Sequence, residues 1–373
     1  MKCELGTICS RLSSGKNLPA KFVYPQGKYP VYGGNGLRGY TDTYNFKGEC
    51  AIIGRQGAFC GNVRYFQGTG YMTEHAVVAC ANKNNNTRYL AYLLSTMQLG
   101  RLSAQSAQPG LSVKTLSKQI VDVPSLESQN KIASILSILD EKIELNNKIN
   151  ENLEKQAQTI FKSWFIEYMP YGGTTPKEWH NVILDNITSL VSRGIAPKYS
   201  DSSNQIVINQ KCIRNHMIDL SLARTHTPKA INEKWLQFGD LLINSTGTGT
   251  LGRTAQVWFT PHNLTVDSHV TIVRPANESL IFYIGLWGIL HENEIEALHT
   301  GSTGQTELPR ERLKAMELIL PDNDTLKQFN ATIAPLARAI VSNQEENQRL
   351  AEIRDVLLPK LMSGEIDISS ASS

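Results

Sequence analysis

No run of about 18 apolar residues occurs in this 373-residue chain, which excludes a membrane-crossing helix. The six cysteines, Cys3, Cys9, Cys50, Cys60, Cys80 and Cys212, never fall at a Cys-x-x-Cys or Cys-x-x-His spacing, so neither a zinc nor a disulfide framework is expected. Buried apolar thiols in a reducing compartment fit the pattern instead. Catalytic signatures are missing as well: there is no P-loop, no Ser-His-Asp elbow and no carboxylate pair at a recognisable spacing. His291-Glu292 lacks a histidine four positions after His291, the next being His299, so the zinc-protease pattern fails. The Met1 end carries no basic-then-apolar leader. The expectation is a cytoplasmic, non-catalytic protein with no metal, no cofactor and no membrane contact.

What is present starts with size and charge. With 41% apolar and 19% charged residues, the chain suffices for two medium domains and is too apolar for a disordered one. Its net charge of +3 hides an asymmetry: residues 1–124 hold 14 Lys and Arg against 5 Asp and Glu, whereas 125–165, 166–321 and 322–373 are each slightly acidic. A strongly basic third points to a polyanion such as nucleic acid.

The chain also repeats itself. At a constant offset of 197, Gln108 meets Gln305, Leu111 meets Leu308, Leu116 meets Leu313 and Pro124 meets Pro321. The match continues without a gap through Leu139 with Leu336, Ile143 with Ile340, Asn146 with Asn343, Asn150 with Asn347 and Leu153 with Leu350. The front of each half corresponds at an offset of 179, where Leu5, Ile8 and Gly15 face Leu184, Ile187 and Gly194, so the second half holds 18 more residues in its globular part. Between these anchors only a skeleton is shared: Gly48-Glu49 with Gly239-Asp240, and His75 with His269, each before an apolar run. A repeat of this length makes each half one structural unit.

Each half reads as a globule, then a proline, then a long helix. After Pro124, Ser125 is the expected N-cap, and Ile132, Ile135, Leu136, Leu139, Ile143, Ile149, Leu153 and Ile160 recur at three- and four-residue steps. Asp322 or Asp324 caps the second helix, whose stripe is Phe329, Ile333, Leu336, Ile340, Leu350, Ile353 and Leu357, with Pro335 expected to bend its first turns. About 40 residues at 1.5 Å each make a rod on the order of 60 Å, which needs a partner to cover its stripe. The other copy is the evident one, packed antiparallel as a coiled coil. Asn146, Asn343, Asn150 and Asn347 then either sit in the seam and fix its register or flank it in solvent.

The expected fold is mixed α/β, of the α+β kind: two globules joined by two antiparallel helices with pseudo-two-fold symmetry. Boundaries are placed at 1–124, 125–165, 166–321 and 322–364, with a tail over 365–373. Short β-like runs fill the globules, around 51–53, 63–66 and 76–78 and around 241–243, 254–259 and 270–273, with helices over 87–99 and 280–298. Polar side chains on glycine-permissive loops are the candidate DNA contacts: Asn35, Arg38, Tyr40, Arg55, Gln56 and Arg64 in the first half, and Arg193, Lys198, Thr246, Thr248, Arg253, Ser302 and Gln305 in the second. Arg, Gln and Asn pair bidentately with guanine and adenine edges, and the same groups serve phosphates. His75 and His269, beside β-runs, read as structural histidines whose ring nitrogens are satisfied. Gly247-Thr248-Gly249-Thr250-Leu251-Gly252 matches the dinucleotide fingerprint, with Asp267 following, and keeps a nucleotide-cofactor enzyme as the alternative. The β-branched and aromatic run from Thr254 to Phe259 speaks against the helix that such a site needs.

The layout, with the entry Pro124 to Ile132, the run Ile138 to Asn147 and the ending Leu357 to Ile366, resembles the specificity subunit of Type I restriction-modification systems. That resemblance spans essentially the whole chain. It implies two target recognition domains, each reading one half of a bipartite double-stranded DNA site, and helices that set the spacer and bind two methyltransferase subunits. Restriction subunits join the larger complex, and the methyl-donor and ATP chemistry belongs to those partners. An orphan subunit without a cognate methyltransferase is the variant reading.

Overall fold

A computed structural model describes residues 1–103, 110–301, 306–366 and 368. It resolves into two compact units, one formed by Met1–Glu144 with Asn347–Ser373, the other by Leu145–Glu346. The fold is mixed α/β with two long helices, Leu126–Phe165 and Asn323–Ser363. Among the described residues no helix is long and apolar enough to cross a membrane.

In the first unit a six-stranded sheet runs in the order Cys9–Ser14, Ala76–Ala81, Phe46–Gly54, Val63–Met72, Tyr29–Gly33, Gly36–Thr41. Side chains alternate across a strand, and here both faces are buried. Ala51, Ile53, Val77 and Ala79 pack on the helix Thr87–Thr96 and the long helix, whereas Cys50, Ile52, Ala76 and Val78 pack with Phe46, Phe66 and Met72 on the other side. Asn86 caps the Thr87–Thr96 helix, its Oδ1 accepting the Tyr89 N–H at 2.8 Å. The helix ends at Thr96, three residues short of the expected Leu99.

The second unit repeats this frame with other contents. Four antiparallel strands, Thr188–Arg193, Val270–Pro275, Leu241–Asn244 and Thr254–Gln256, occupy the places of the first four above. Again the faces divide, with Leu241, Ile243 and Val273 in one core and Leu242, Ala255, Val270 and Ile272 in the other. The expected 254–259 run is a strand only to Gln256, and the expected 280–298 helix is two, Ile281–Leu290 and Glu292–Ala297. The additional residues build a three-stranded sheet, Arg224–Thr225, Ile206–Ile208 and Leu264–Val266, and a hairpin, Ile213–Arg214 with Met217–Ile218.

Backbone hydrogen bonds recur at equivalent places in the two units. Leu5 N–H donates to Gln119 O at 2.8 Å and Leu184 N–H to Met316 O at 2.9 Å. Leu111 N–H reaches Arg55 O at 2.8 Å, and Leu308 N–H reaches Ser245 O at 2.9 Å. Gly15 and Gly194 mark the tightest common point: a Cβ on Gly15 would lie 2.1 Å from Met72 O, and one on Gly194 would lie 1.9 Å from Val266 O. Only glycine lets the chain pass there.

Ser125 and Asp322 start the long helices. The Ser125 hydroxyl accepts the Ser128 N–H at 3.2 Å, and Asp322 Oδ1 accepts from Asp324 and Thr325 at 3.0 and 2.9 Å. Within the second unit, Phe161, Phe165, Tyr283 and Phe329 form an aromatic core with ring centroids 4.8–5.9 Å apart. Within the first, Ile132, Leu136 and Leu361 join the globule's own core. Two stripe positions are corrected: Ile149 and Ile353 are 38% and 48% exposed and face solvent, because a one-sided stripe at helical period drifts round the cylinder over so many turns.

Candidate nucleic-acid interface

In the first unit the loop candidates converge on one rim of the sheet. The hairpin tip between Tyr29–Gly33 and Gly36–Thr41 carries exposed Asn35 and Arg38. A Cβ on Gly36 would lie 3.1 Å from Arg64 Nε, and one on Gly33 would lie 2.7 Å from Arg38 Cδ, so both guanidinium arms cross the glycine backbone of that tip. Arg55 and Gln56 leave the strand Phe46–Gly54 beside it: the Arg55 N–H donates to His75 O at 3.0 Å, and a Cβ on neighbouring Gly34 would lie 3.0 Å from that same carbonyl. Tyr40 sits farther down its strand, paired with Tyr24 through two 2.8 Å backbone bonds. Three arginines, a glutamine and an asparagine thus share one Gly-lined rim.

The second unit places its candidates less uniformly. Thr246 and Thr248 lie in the loop after Leu241–Asn244, and Arg253 closes that loop, its carbonyl accepting the Asn244 N–H at 2.9 Å. The Arg193 guanidinium is engaged, with Glu307 Oε1 at 2.6 Å and Leu308 O at 3.0 Å, and Glu307 bridges to Thr246. Lys198 is exposed in a separate segment, where its carbonyl accepts the Thr227 N–H at 2.8 Å and Arg224 covers Tyr199 at 3.7 Å. Ser302 and Gln305, like Gln108, lie outside the described residues. The Gly247–Gly252 loop runs into the strand Thr254–Gln256, so no helix N-terminus follows it to receive a pyrophosphate.

Two residues that sequence reasoning set aside belong to these rims. His75 Nδ1 is 3.1 Å from Gln56 Oε1 and His269 Nδ1 is 2.8 Å from Thr246 Oγ1, at equivalent places in the frame. Each is exposed just before a buried strand residue, Ala76 or Val270, and holds a loop residue by its side chain. The signal was there in the retained histidine, but burial, which separates core from rim, is not written in a repeat.

The helix positions divide between the units. In the second unit, buried Asn150 accepts from Asn343 Nδ2 at 2.8 Å and donates to Ile340 O at 3.3 Å, and Asn146 Nδ2 donates to Glu346 Oε2 at 2.8 Å. Leu153 and Leu336 are half-buried and Ile340 is buried. In the first unit, half-buried Leu139 precedes Asp140, which takes Arg354 Nη1 at 2.9 Å and the Tyr92 hydroxyl at 2.5 Å, while Leu350 is half-buried. Ile143 and Asn347 are likewise half-buried. Gln129, at the helix start, bonds the Asn86 N–H, Asn85 Oδ1 and Pro124 O at 2.9, 2.9 and 3.1 Å; its counterpart Leu326 is packed in apolar core instead.

Electrostatics separate Cys9 and Cys50 from any reactive role. Burial, with Cys80 nearby, pushes the Cys9 and Cys50 thiols up to about 12, which keeps them protonated. Among the described residues, no group of three or more His, Cys, Asp or Glu side chains is placed to hold a metal ion.

Residues 1–155 match the family described as the Type I restriction modification DNA specificity domain. The specificity subunit of the Type I restriction enzyme MjaIX from Methanocaldococcus jannaschii is 29% identical over 312 residues, covering 76% of this chain and 69% of that one. The EcoprrI specificity subunit of Escherichia coli is 45% identical over 151 residues, covering 39% of this chain and 37% of that one. By fold, the chain is similar to the Type I restriction-modification S subunit of M. genitalium, with a TM-score of 0.59 at 17% identity and coverage of 97% and 95%. The chain is thus similar to Type I restriction-modification specificity subunits over most of its length, and its residues 1–155 match their DNA specificity domain.

Proposed function

We propose that the chain supplies DNA sequence specificity to a Type I restriction-modification complex and performs no catalysis itself. Each globule, 1–124 and 166–321, reads one half of a bipartite double-stranded target. The long helices run antiparallel as a coiled coil and act as the spacer that fixes the separation of the half-sites, in the way dimer geometry sets half-site spacing in other DNA readers. Two methyltransferase subunits dock on the outward helix faces, and restriction subunits join them, all in the cytoplasm. The methyl donor and ATP are handled by those partners.

One observation carries the reading: the two units repeat a hydrogen-bonded frame from Leu5 and Leu184 to Leu111 and Leu308, yet the side chains on its rim differ, Arg55 against Ser245 and Gln56 against Thr246. A constant frame with variable rims suits two readers of unlike half-sites. The antiparallel arrangement is supported by the partner numbers of the helices, which fall as positions rise, Asp140 with Arg354, Asn146 with Glu346 and Asn150 with Asn343. Base contacts are assigned to Asn35, Arg38, Arg55, Gln56 and Arg64 in the first half and to Thr246, Thr248 and Arg253 in the second.

Methylation mapping of host DNA with and without the chain tests this directly. The expected result is a bipartite, asymmetric motif that loses methylation when the chain is absent. Unchanged methylation would refute the reading, and co-purification with a methyltransferase subunit separates a working subunit from an orphan.

A further inference from the structure

The hairpin Ile213–Arg214/Met217–Ile218, which belongs to the second unit alone, carries a charged cluster that the reading loops do not explain. Asn215 and His216 form its two-residue turn, both with positive φ, at 50° and 59°. His216 Nδ1 is hydrogen-bonded to Glu154 Oε1 on the first long helix, and its Nε2 lies 3.5 Å from Glu292 Oε2. Glu292 Oε1 in turn accepts the Thr254 N–H at 2.5 Å and the Thr254 hydroxyl at 2.9 Å, one residue after Arg253. Beside this chain of bonds, Gln344 Nε2 of the second long helix reaches Met217 Sδ at 3.4 Å. Helix, hairpin tip and the exit of the Gly247–Gly252 loop are thereby tied in sequence.

The chemistry of the tie needs a cation. A two-stranded hairpin this short is not stable alone. The carboxylates of Glu154 and Glu292 are 18% and 28% exposed and face each other across the ring, and a neutral imidazole could donate to only one of them. Other charges facing the ring come from Glu151 and Lys155 on the helix, Arg214 on the hairpin and Arg253 on the loop, which line the same cleft of about 520 Å³. Burial alone would push the imidazole down, but hydrogen bonds to Glu154 and Glu292 and their charge lift it to about 9.

We propose that His216, as an imidazolium, is a positioning residue that fixes the loop bearing Thr246, Thr248 and Arg253 to the spacer helix, so that the second half-site is read in one register. This rests on the DNA-specificity reading above. Because the folded value lies above the ordinary 6.5, the tie is fully present below about pH 6.5 and is lost as pH rises through about 9.

The experiment uses the full chain assembled with its methyltransferase partner and the bipartite target mapped for the wild type. Binding to probes with single base changes in either half is compared at pH 6.5 and pH 9.5 for wild type, His216→Gln and Glu154→Gln. In the wild type, discrimination in the second half-site should fall roughly tenfold between the two pH values, the size expected for one buried charge-assisted bond. Both variants should show the low discrimination at both pH values, with the first half-site unchanged throughout. Wild-type discrimination and pH profile retained in His216→Gln would overturn the proposal. Should that variant fail to fold, Glu154→Gln and an NMR titration of the wild-type His216 ring decide, a ring titrating near 6.5 being fatal. A wild-type complex with no bipartite target would instead defeat the reading beneath the proposal, and the ring titration would still judge the tie.

Discussion

The pairs Gly48-Glu49 and Gly239-Asp240 match in sequence but sit one residue out of step in the frame, because Ile53 pairs with Val77 where Ile243 pairs with Thr271, so that Asp240 takes the place of Cys50. Both glycines take positive φ, 126° and 93°. Glu49 is exposed, with Gln67 Nε2 at 3.4 Å, whereas Asp240 is fully buried. Its Oδ1 and Oδ2 each receive a bond from Arg274 at 2.8 Å, and the Gln237 N–H supplies a third at 2.8 Å. Burial pushes the Asp240 carboxyl up against the pull of Arg274, which means that the ion pair holds the charge in place at a cost. The comparison teaches that the same frame position holds a buried thiol, Cys50, in one unit and a buried ion pair in the other, so the backbone is kept while the chemistry changes.

Breaking that pair should give the largest effect separating the units. Arg274 also donates to Glu233 O and Trp235 O at 2.9 and 2.7 Å, so Arg274→Met leaves a buried carboxylate and two carbonyls without their donor. The expected loss is about 3–5 kcal/mol in urea unfolding of the full chain. Glu49→Gln, at the exposed sequence counterpart, should stay within about 0.5 kcal/mol. Equal costs would show that Asp240 and Arg274 are not held together as a buried pair.

Next come the two glycines that the frame shares. Gly15→Ala and Gly194→Ala each drive a Cβ into carbonyl oxygen, at 2.1 and 1.9 Å, and nothing flexible can give way. Each should destabilise by on the order of 3 kcal/mol, and by similar amounts. A tolerated alanine in one unit alone would mean that the frame is closed differently there, and thermal melts of the two variants settle it.

Much of this was legible before the coordinates. Ungapped matches from Leu111/Leu308 to Leu153/Leu350 announced the repeat, and Pro124-Ser125 and Pro321-Asp322 announced where the helices start. Periodicity failed in two ways. Along the rods it assigned Ile149 and Ile353 to the seam, because sequence period alone does not say where a long stripe has rotated away. Inside the second globule it missed the Ile213–Ile218 hairpin, whose strands are two residues each and too short to alternate. The turn signal Asn215-His216 was present, but the pairing of His216 with Glu154 spans 62 residues and leaves no local trace. On the rims, sequence chose candidates by residue type and could not tell engaged Arg193 from exposed Arg38, since the Glu307 partner lies far along the chain.

The helix contacts give a finer comparison. Asn150 and Asn343 form a neutral amide pair in the second unit, with Asn150 only 3% exposed, while Asp140 and Arg354 form an ion pair in the first, each about 30% exposed. Double-mutant cycles to alanine should give a coupling of about 1 kcal/mol for the amide pair, unchanged by salt. The ion pair should couple by at most about 1 kcal/mol at low salt and less at 0.5 M, as screening predicts for a partly exposed pair. Salt-insensitive coupling in both would place the Asp140–Arg354 pair in a drier setting than its exposure indicates.

The last comparison concerns binding rather than stability, at the rims proposed to face DNA, and its effects follow from charge. Residues 1–124 hold a nine-charge excess of Lys and Arg, and the second globule has none. In complexes bound to target DNA, affinity falls with salt in proportion to the phosphates neutralised. Arg38→Ala should therefore lower the slope of log affinity against log salt by about one if that side chain lies on phosphate. If it pairs with a base instead, the slope should hold while discrimination drops at a single position of the first half-site by about 1–3 kcal/mol. Thr248→Ala, which removes no charge, should leave the slope unchanged in either case. A slope that responds to Thr248 but not to Arg38 would mean that the basic third of the chain faces something other than the DNA backbone, and the assignment of electrostatic attraction to the first globule would fall with it.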